Sequence, residues 1–322
     1  MNGGMELYLH MPFCVRKCAY CDFLSFPTDQ ETQNLYTRRL REDIDAMGKK
    51  YGDIPVDTIF IGGGTPSVPD SALIVGIMEH VRKAFHVAEG AEISMEANPG
   101  TVTREKLTDY RRAGINRLSF GLQSANDREL KLLGRIHTWA EFLESFHLAR
   151  ECGFTNINID LMSALPGQTR ESWKDTLKRV TDLNPEHISA YSLIIEDGTP
   201  FGEKYGSEEG RKLLPDEDSE REMYYETKRF LQDCGYERYE ISNYAKPGRA
   251  CRHNIGYWTG LPYLGLGLGA SSYMDGCRFA VNSDMKQYLE EKPGMFTDVE
   301  KLTKKDMEEE FFYVGLRMTA GV

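Results

Sequence analysis

The sequence contains no apolar run long enough to cross a bilayer as a helix, and its amino terminus shows no signal-peptide pattern. Basic residues are in the minority, since 39 Lys and Arg stand against 50 Asp and Glu, giving a net charge of −11. A chain of this charge is not expected to bind nucleic acid or an anionic membrane as its main partner. We therefore expect any association with a membrane to depend on a partner protein.

Cysteine is scarce, and the seven cysteines are unevenly placed and odd in number. This pattern does not fit a disulfide framework and favours a reducing, cytoplasmic setting. Four of the cysteines are scattered and read as ordinary buried thiols: Cys152, Cys234, Cys251 and Cys277. The other three lie close together near the amino terminus.

Cys14, Cys18 and Cys21 have the spacing C-x-x-x-C-x-x-C, and no fourth cysteine follows, since Phe23 stands two places after Cys21. Thiolates are the ligands of iron–sulfur clusters, and three of them leave one iron of a four-iron cluster open. The alternatives are reduced structural thiols or half of a zinc site. The cluster is favoured because the spacing fits neither the zinc nor the disulfide templates.

Strand-like and helix-like segments alternate from Met5 to about residue 193. Six strand-then-helix units predict a parallel sheet, and their even spacing favours a partial (β/α)6 barrel of the TIM type in an α/β fold. We expect two regions, the barrel over residues 1–235 and an α+β accessory region over residues 236–322. A strand at residues 239–242 would open the second region.

Polar residues stand at or near the carboxyl ends of these strands, where barrel active sites lie. Gly62, Gly63 and Gly64 follow the second strand and would let a backbone approach a ligand, although a tight turn is the alternative. Three further candidates end later strands: Glu96, Gln123 and Asp160. Taken alone, Glu96 reads equally well as a solvent-facing residue or a helix-cap partner. The expected convergence on one face favours a ligand site.

A second informative stretch runs from Cys251 to Trp258 and crowds His253, Tyr257 and Trp258 together. Histidine is a common haem ligand, and aromatic faces suit a flat macrocycle. On spacing alone, a packed aromatic cluster with a hydrogen-bonded histidine is favoured.

The cysteine stretch resembles the cluster motif of the radical S-adenosylmethionine (SAM) superfamily. The whole chain resembles the branch that contains the oxygen-independent coproporphyrinogen III oxidase and its haem-chaperone relatives. The shared motifs are Tyr8-x-His10-x-Pro12-Phe13-Cys14, Gly62-Gly63-Gly64-Thr65-Pro66, Glu96 with Asn98-Pro99, and Gly121-x-Gln123-Ser124.

The resemblance implies three cofactors: a [4Fe–4S] cluster, SAM and haem. The implied cluster ligands are Cys14, Cys18 and Cys21. The implied SAM contacts are Tyr8, Tyr20, Gly63, Gly64, Thr65, Glu96, Gln123, Arg135 and Asp160. The resemblance further implies that Glu96 and Asp160 take ribose or methionine groups, and that Arg135 takes the carboxylate. The implied haem contacts are His253, Asn254, Tyr257 and Trp258.

Three features favour the chaperone over the oxidase. Phe23 replaces a further cysteine of the oxidase, the first strand begins without the oxidase's amino-terminal extension, and H-N-x-x-Y-W is present as His253 to Trp258. We expect a cytoplasmic haem chaperone that passes haem to an acceptor such as a respiratory haem protein. The family members that the chain resembles most are non-catalytic. The alternatives are the oxidase, which decarboxylates porphyrinogen propionates, and a structural cluster without SAM. Relatives are expected to continue through a further helical domain beyond Val322.

Overall fold

The computed structural model describes residues 3–322. Its centre is a run of six parallel strands that pair in chain order. They are β1 Met5–Met11, β2 Val56–Gly63, β3 Val87–Ala97, β4 Arg117–Gln123, β5 Ile157–Ser163 and β6 His187–Ser192. Each parallel pair needs a crossover connection, and helices supply them. These helices are α1 Gln30–Tyr51, α2 Ser71–Ala84, α3 Arg104–Arg112, α4 Asp127–Leu132, α5 Trp139–Glu151 and α6 Arg170–Thr181.

The rest of the chain mixes short helices and strands. Its helices are α7 Pro200–Tyr205, α8 Glu208–Arg211, α9 Glu217–Asp233, α10 Arg252–Trp258, α11 Met285–Glu290 and α12 Lys304–Gly315. Its strands are β7 Glu237–Arg238, β8 Asn243–Ala245, β9 Tyr263–Leu266, β10 Ser271–Met274, β11 Cys277–Ala280 and β12 Thr297–Lys301. The strand expected at residues 239–242 is therefore wrong in position, because two short strands flank that segment.

The later strands join the barrel sheet at both of its edges. β9 pairs in parallel with β1, and β8 pairs antiparallel with β6. The result is one twelve-stranded sheet in the order β12-β11-β10-β9-β1-β2-β3-β4-β5-β6-β8-β7. The six parallel strands thus form a partial barrel, which confirms the predicted fold class. The expected boundary at residue 235 lies between α9 and β7, and the sheet contains strands from both sides of it.

The two faces of the parallel strands differ in chemistry. On β1, Leu7 and Leu9 are fully buried in the core between the sheet and the helices. Glu6 and Tyr8 alternate with them and face the barrel interior, as the period of two along a strand requires. The interior is thus polar, and the apolar core lies outside the barrel. No helix within residues 3–322 has the length and apolar character needed to span a membrane.

The pairing of β9 with β1 makes the stability of the two regions interdependent. Leu264 on β9 is fully buried and pairs with Leu7. We expect Leu264→Ala to destabilise the protein by about 2–5 kcal/mol in a single cooperative unfolding transition, because it leaves a cavity at the shared edge. Val299→Ala is the control, since Val299 is exposed on β12, and should change stability by less than about 0.5 kcal/mol. Urea denaturation measures both, and separate melting of residues 236–322 would contradict this expectation.

Candidate functional site

One cavity of about 460 Å³ opens at the carboxyl ends of the parallel strands. Its volume lies within the usual range for cofactor sites. It gathers eleven of the residues predicted from the sequence: Cys14, Cys18, Cys21, Tyr20, Gly63, Gly64, Thr65, Glu96, Gln123, Arg135 and Asp160. We call it the upper cavity.

The three cysteines lie in the loop after β1, and all three are half-buried free thiols that line the upper cavity. An Nη1–H of Arg135 points at Cys18 Sγ from 3.4 Å, and Cys14 Sγ lies 3.7 Å from Thr65 Oγ1. Burial raises the pKa of the Cys21 thiol. Donors around the sulfurs are the kind of surroundings that stabilise cluster thiolates.

A single metal ion is a poorer match for this arrangement. Within residues 3–322, no group of three His, Cys, Asp or Glu side chains is gathered closely enough to hold one ion. A four-iron cluster holds its thiolates further apart than a single ion does, because each thiolate binds a different iron. Three thiols spread around one cavity are therefore compatible with a cluster.

The glycine loop, which we define as Gly62 to Gly64 at the carboxyl end of β2, packs against the loop that carries the three cysteines, which we call the cysteine loop. Gly64 N donates to Met11 O at 2.8 Å and Thr65 N donates to Phe13 O at 2.6 Å. A Cβ on Gly64 would lie 2.7–2.9 Å from backbone atoms of Met11 and Phe13. Gly63 has φ +110°, and a Cβ there would overlap the imidazole of His10. Packing within the protein thus already requires glycine at these positions.

Two acids face the upper cavity from neighbouring parts of the barrel. Glu96 Oε2 accepts the Gly63 N–H at 3.0 Å, and burial, with the Asp160 charge adding to it, raises the pKa of Glu96 to about 8. Asp160 accepts from Ser119 Oγ at 2.9 Å and from Asn158 Nδ2 at 2.7 Å. Burial raises its pKa as well, against these hydrogen bonds. Such half-buried carboxyl groups can accept hydrogen bonds from hydroxyl or ammonium groups of a ligand.

Arg135 lies deeper in protein contacts than the sequence indicated. Its Nη2 donates to Asn98 Oδ1 and to Gly121 O, both at 2.5 Å, and its Nη1 faces Cys18. Its Nε is buried without a partner among the described residues. Its role as the partner of a ligand carboxylate stays a prediction.

Gln123 ends β4 with φ +71°, a strained conformation for a residue with a side chain.

The remaining predicted residues lie below this cavity, toward the amino-terminal ends of the strands. A second cavity of about 220 Å³, which we call the lower cavity, is lined by Tyr8, His253, Asn254 and Tyr257. The two cavities share four lining residues: Glu96, Ser119, Asp160 and Tyr191. Trp258 instead packs under the guanidinium of Arg317, whose Cζ is 4.3 Å from the ring centroid. Three of the four predicted haem contacts thus line the lower cavity, and Trp258 lies apart from them.

His253 is 1% exposed and closes the base of the barrel. Its Nδ1 lies 2.7 Å from Thr58 Oγ1 and its Nε2 lies 3.0 Å from Tyr257 OH, so both ring nitrogens have hydrogen-bond partners. Burial, with the charge of Arg117 adding to it, lowers its pKa to about 3. A haem ligand needs a free ring nitrogen and room for the macrocycle beside it. In this conformation the stretch is the packed aromatic cluster and does not fit haem.

Several residues that shape the two cavities were not predicted from the sequence as cavity residues. Phe60 separates the glycine loop from His253, yet in sequence it is one more apolar residue of β2. At the mouth of the upper cavity, Phe23 and Ile194 are exposed by 65% and 68%. An exposed apolar rim carries no sequence signal, because it depends on which loops meet.

The profile of the radical SAM superfamily matches residues 8–180. The heme chaperone HemW of Bacillus subtilis is 37% identical over 319 residues, which cover 98% of this chain and 84% of that protein. The chain belongs to the radical SAM superfamily and, within it, to the HemW family. The predicted branch is thereby confirmed.

Two other relatives place the chain within this superfamily. The heme chaperone HemW of Escherichia coli is 42% identical over 272 residues, which cover 83% of this chain and 69% of that protein. Among solved structures, coproporphyrinogen III oxidase (HemN) from Escherichia coli, a radical SAM enzyme, superposes with a TM-score of 0.84 at 28% identity. That alignment covers 98% of this chain and 75% of the oxidase.

The raised pKa of Glu96 makes the stability of the cofactor-free protein depend on pH. From its ordinary value of 4.5 up to about 8, the unfolded chain releases the Glu96 proton while the folded chain retains it, so stability falls as pH rises. We expect Glu96→Gln to reduce this fall, because the amide is neutral throughout. Urea denaturation across this range measures the effect. Glu89→Gln, at an exposed position of the same strand, is the control, and equal slopes in both variants would contradict the assignment.

Proposed function

We propose that this chain is a haem chaperone that carries a [4Fe–4S] cluster and SAM and passes haem to an acceptor protein. The observation that carries the proposal is the similarity to proteins named heme chaperone HemW, which spans 98% of the chain in the Bacillus relative. The oxidase is similar in structure but only 28% identical. Phe23 at the position of the oxidase's further cysteine also favours the chaperone.

The upper cavity fits a cluster with SAM beside it. In this proposal Cys14, Cys18 and Cys21 hold three irons, and Arg135 stabilises the Cys18 thiolate through the contact at 3.4 Å. Three thiolates would leave one iron of a four-iron cluster without a protein ligand. When bound, a reduced cluster can supply an electron to the sulfonium of SAM.

The same cavity offers SAM a set of fixed polar groups. Glu96 and Asp160 offer acceptors to its ammonium or hydroxyl groups, and Gly63, Gly64 and Thr65 form one wall. Tyr20 and Gln123 also line the cavity. We propose a barrel region over residues 1–235 and an accessory region over residues 236–322 that extends the barrel sheet at both of its edges.

The setting we propose is the cytoplasm, where all seven cysteines can stay free thiols, as they are in this structure. The acceptor we propose is a haem protein such as a respiratory one, and any contact with a membrane is made through it. The second candidate function is the anaerobic oxidation of coproporphyrinogen III, which the TM-score of 0.84 to the oxidase favours.

Haem loading and transfer test the proposal. Haem is titrated into the purified protein while the Soret band is followed, and the loaded protein is then mixed with an apo haem enzyme. We expect saturable, stoichiometric binding and recovery of the enzyme's activity faster than haem escapes to apomyoglobin, a passive scavenger. Transfer no faster than that escape, or binding that does not saturate, would contradict a chaperone.

The cluster ligands give a separate prediction. Cys14→Ser, Cys18→Ser and Cys21→Ser should each lose most of the iron, sulfide and visible absorption after anaerobic reconstitution, because each removes one thiolate of the set. Cys234→Ser is the matched control, since Cys234 is exposed at the end of α9. A variant of the three that keeps a full cluster would remove that residue from the ligand set.

A further inference from the structure

A column of aromatic rings runs up the inside of the barrel from its base to the glycine loop. The ring of His253 stacks on Phe60 with centroids 5.3 Å apart and an angle of 25°. Phe60 also stacks with Tyr8, with centroids 6.4 Å apart and an angle of 25°. Tyr8 OH reaches His10 Nδ1 at 3.0 Å. Tyr8 and Phe60 are register partners on β1 and β2, so the strand pairing itself builds the middle of the column.

The upper end of the column supports the wall of the upper cavity. The imidazole of His10 lies directly under Gly63, and its Nε2 is 2.8 Å from Leu24 O in the cysteine loop. A Cβ on Gly62 would lie 2.9 Å from Phe60 Cε1 and 3.0 Å from Glu96 Oε2. The edge of Phe60 and the carboxyl group of Glu96 therefore meet beneath Gly62. A shift of Phe60 would therefore change the surroundings of both Gly62 and Glu96.

The lower end of the column is fixed by the rest of α10. The carboxylate of Glu92 on β3 accepts from Arg252 N at 3.2 Å and from His253 N at 3.4 Å, which caps the helix. Gly256 lets the helix lie against Glu6, because a Cβ there would overlap that carboxylate. With Thr58 and Tyr257 on its two nitrogens, the His253 ring has one orientation.

From this arrangement we infer that His253 is a positioning residue for the upper cavity: its ring holds Phe60, and through Phe60 and Tyr8 the glycine loop and Glu96, in place. The lower cavity supports this inference, because its volume of about 220 Å³ adjoins Phe60. Without the His253 ring, Phe60 can relax into that volume, and the wall above it loses its support. The inference rests on the proposed binding of SAM in the upper cavity.

The test compares His253→Ala with His253→Phe, which keeps a ring on Phe60 but has no nitrogen for iron. His147→Ala is the matched control at an exposed histidine of α5. The anaerobically reconstituted variants are assayed for SAM affinity by equilibrium dialysis. The change that SAM causes in the electron paramagnetic resonance spectrum of the reduced cluster is recorded beside it. Haem titrations run in parallel.

We expect His253→Ala to weaken SAM binding by about tenfold and to diminish the spectral change, as loss of a supporting residue typically does. His253→Phe and His147→Ala should retain both, and haem affinity should be equal in all three. Phe60→Leu interrupts the column while every residue of α10 stays unchanged, and it should behave like His253→Ala. It keeps the test available if His253→Ala does not fold.

Normal SAM binding in both His253→Ala and Phe60→Leu overturns the inference. So does a loss of haem binding in both histidine variants with SAM binding intact, which would make His253 an iron ligand. A wild-type protein that binds no SAM overturns it as well. Failure of wild-type haem transfer, with these SAM results as expected, contradicts only the proposed chaperone function.

Discussion

The contact between the glycine loop and the cysteine loop is the constraint on which the site depends. Two backbone hydrogen bonds, from Gly64 N to Met11 O and from Thr65 N to Phe13 O, join the ends of β1 and β2. The join is close enough that a Cβ on Gly64 would contact backbone atoms at 2.7–2.9 Å. Any group held by the three thiols is therefore set beside the upper cavity by the backbone.

The barrel interior is polar, and burial is the main cause of the raised pKa values of its acidic residues. Glu6 and Glu96 each have a pKa raised to about 8, chiefly by desolvation. Buried carboxyl groups of this kind retain their protons instead of forming ion pairs. Arg117 is a fully buried cation near these acids and donates to Ser94 Oγ at 3.3 Å. α10 closes this interior from below, where the buried His253 ring contacts Thr58.

Local patterns predicted the parts of the site that come from single strand–loop units. Cys14 to Cys21, the glycine run, Glu96 and Asp160 each follow or end one predicted strand, and parallel pairing brings such positions to one face. The place of α10 could not be predicted in this way. It depends on where the chain returns after about sixty residues beyond β6, and on partners such as Thr58 and Glu92 that are remote in sequence.

The dependence of α10 on partners remote in sequence explains why the residues of the aromatic motif do not all line one cavity. His253, Tyr257 and Trp258 lie within six residues, yet the structure sends His253 into the barrel and Trp258 against Arg317. A short helix presents neighbouring residues in different directions, so proximity in sequence does not make one site. The accessory strands show the same limit, since their pairing with both barrel edges has no local signal.

The measurement that tests the central claim most directly is an anaerobic turnover assay. The reconstituted protein is incubated with dithionite, SAM and coproporphyrinogen III, and protoporphyrinogen is followed by chromatography alongside haem transfer by the same preparation. A haem chaperone of this superfamily should transfer haem and form no decarboxylated product. Catalytic formation of protoporphyrinogen would contradict the account and identify the chain as an oxidase.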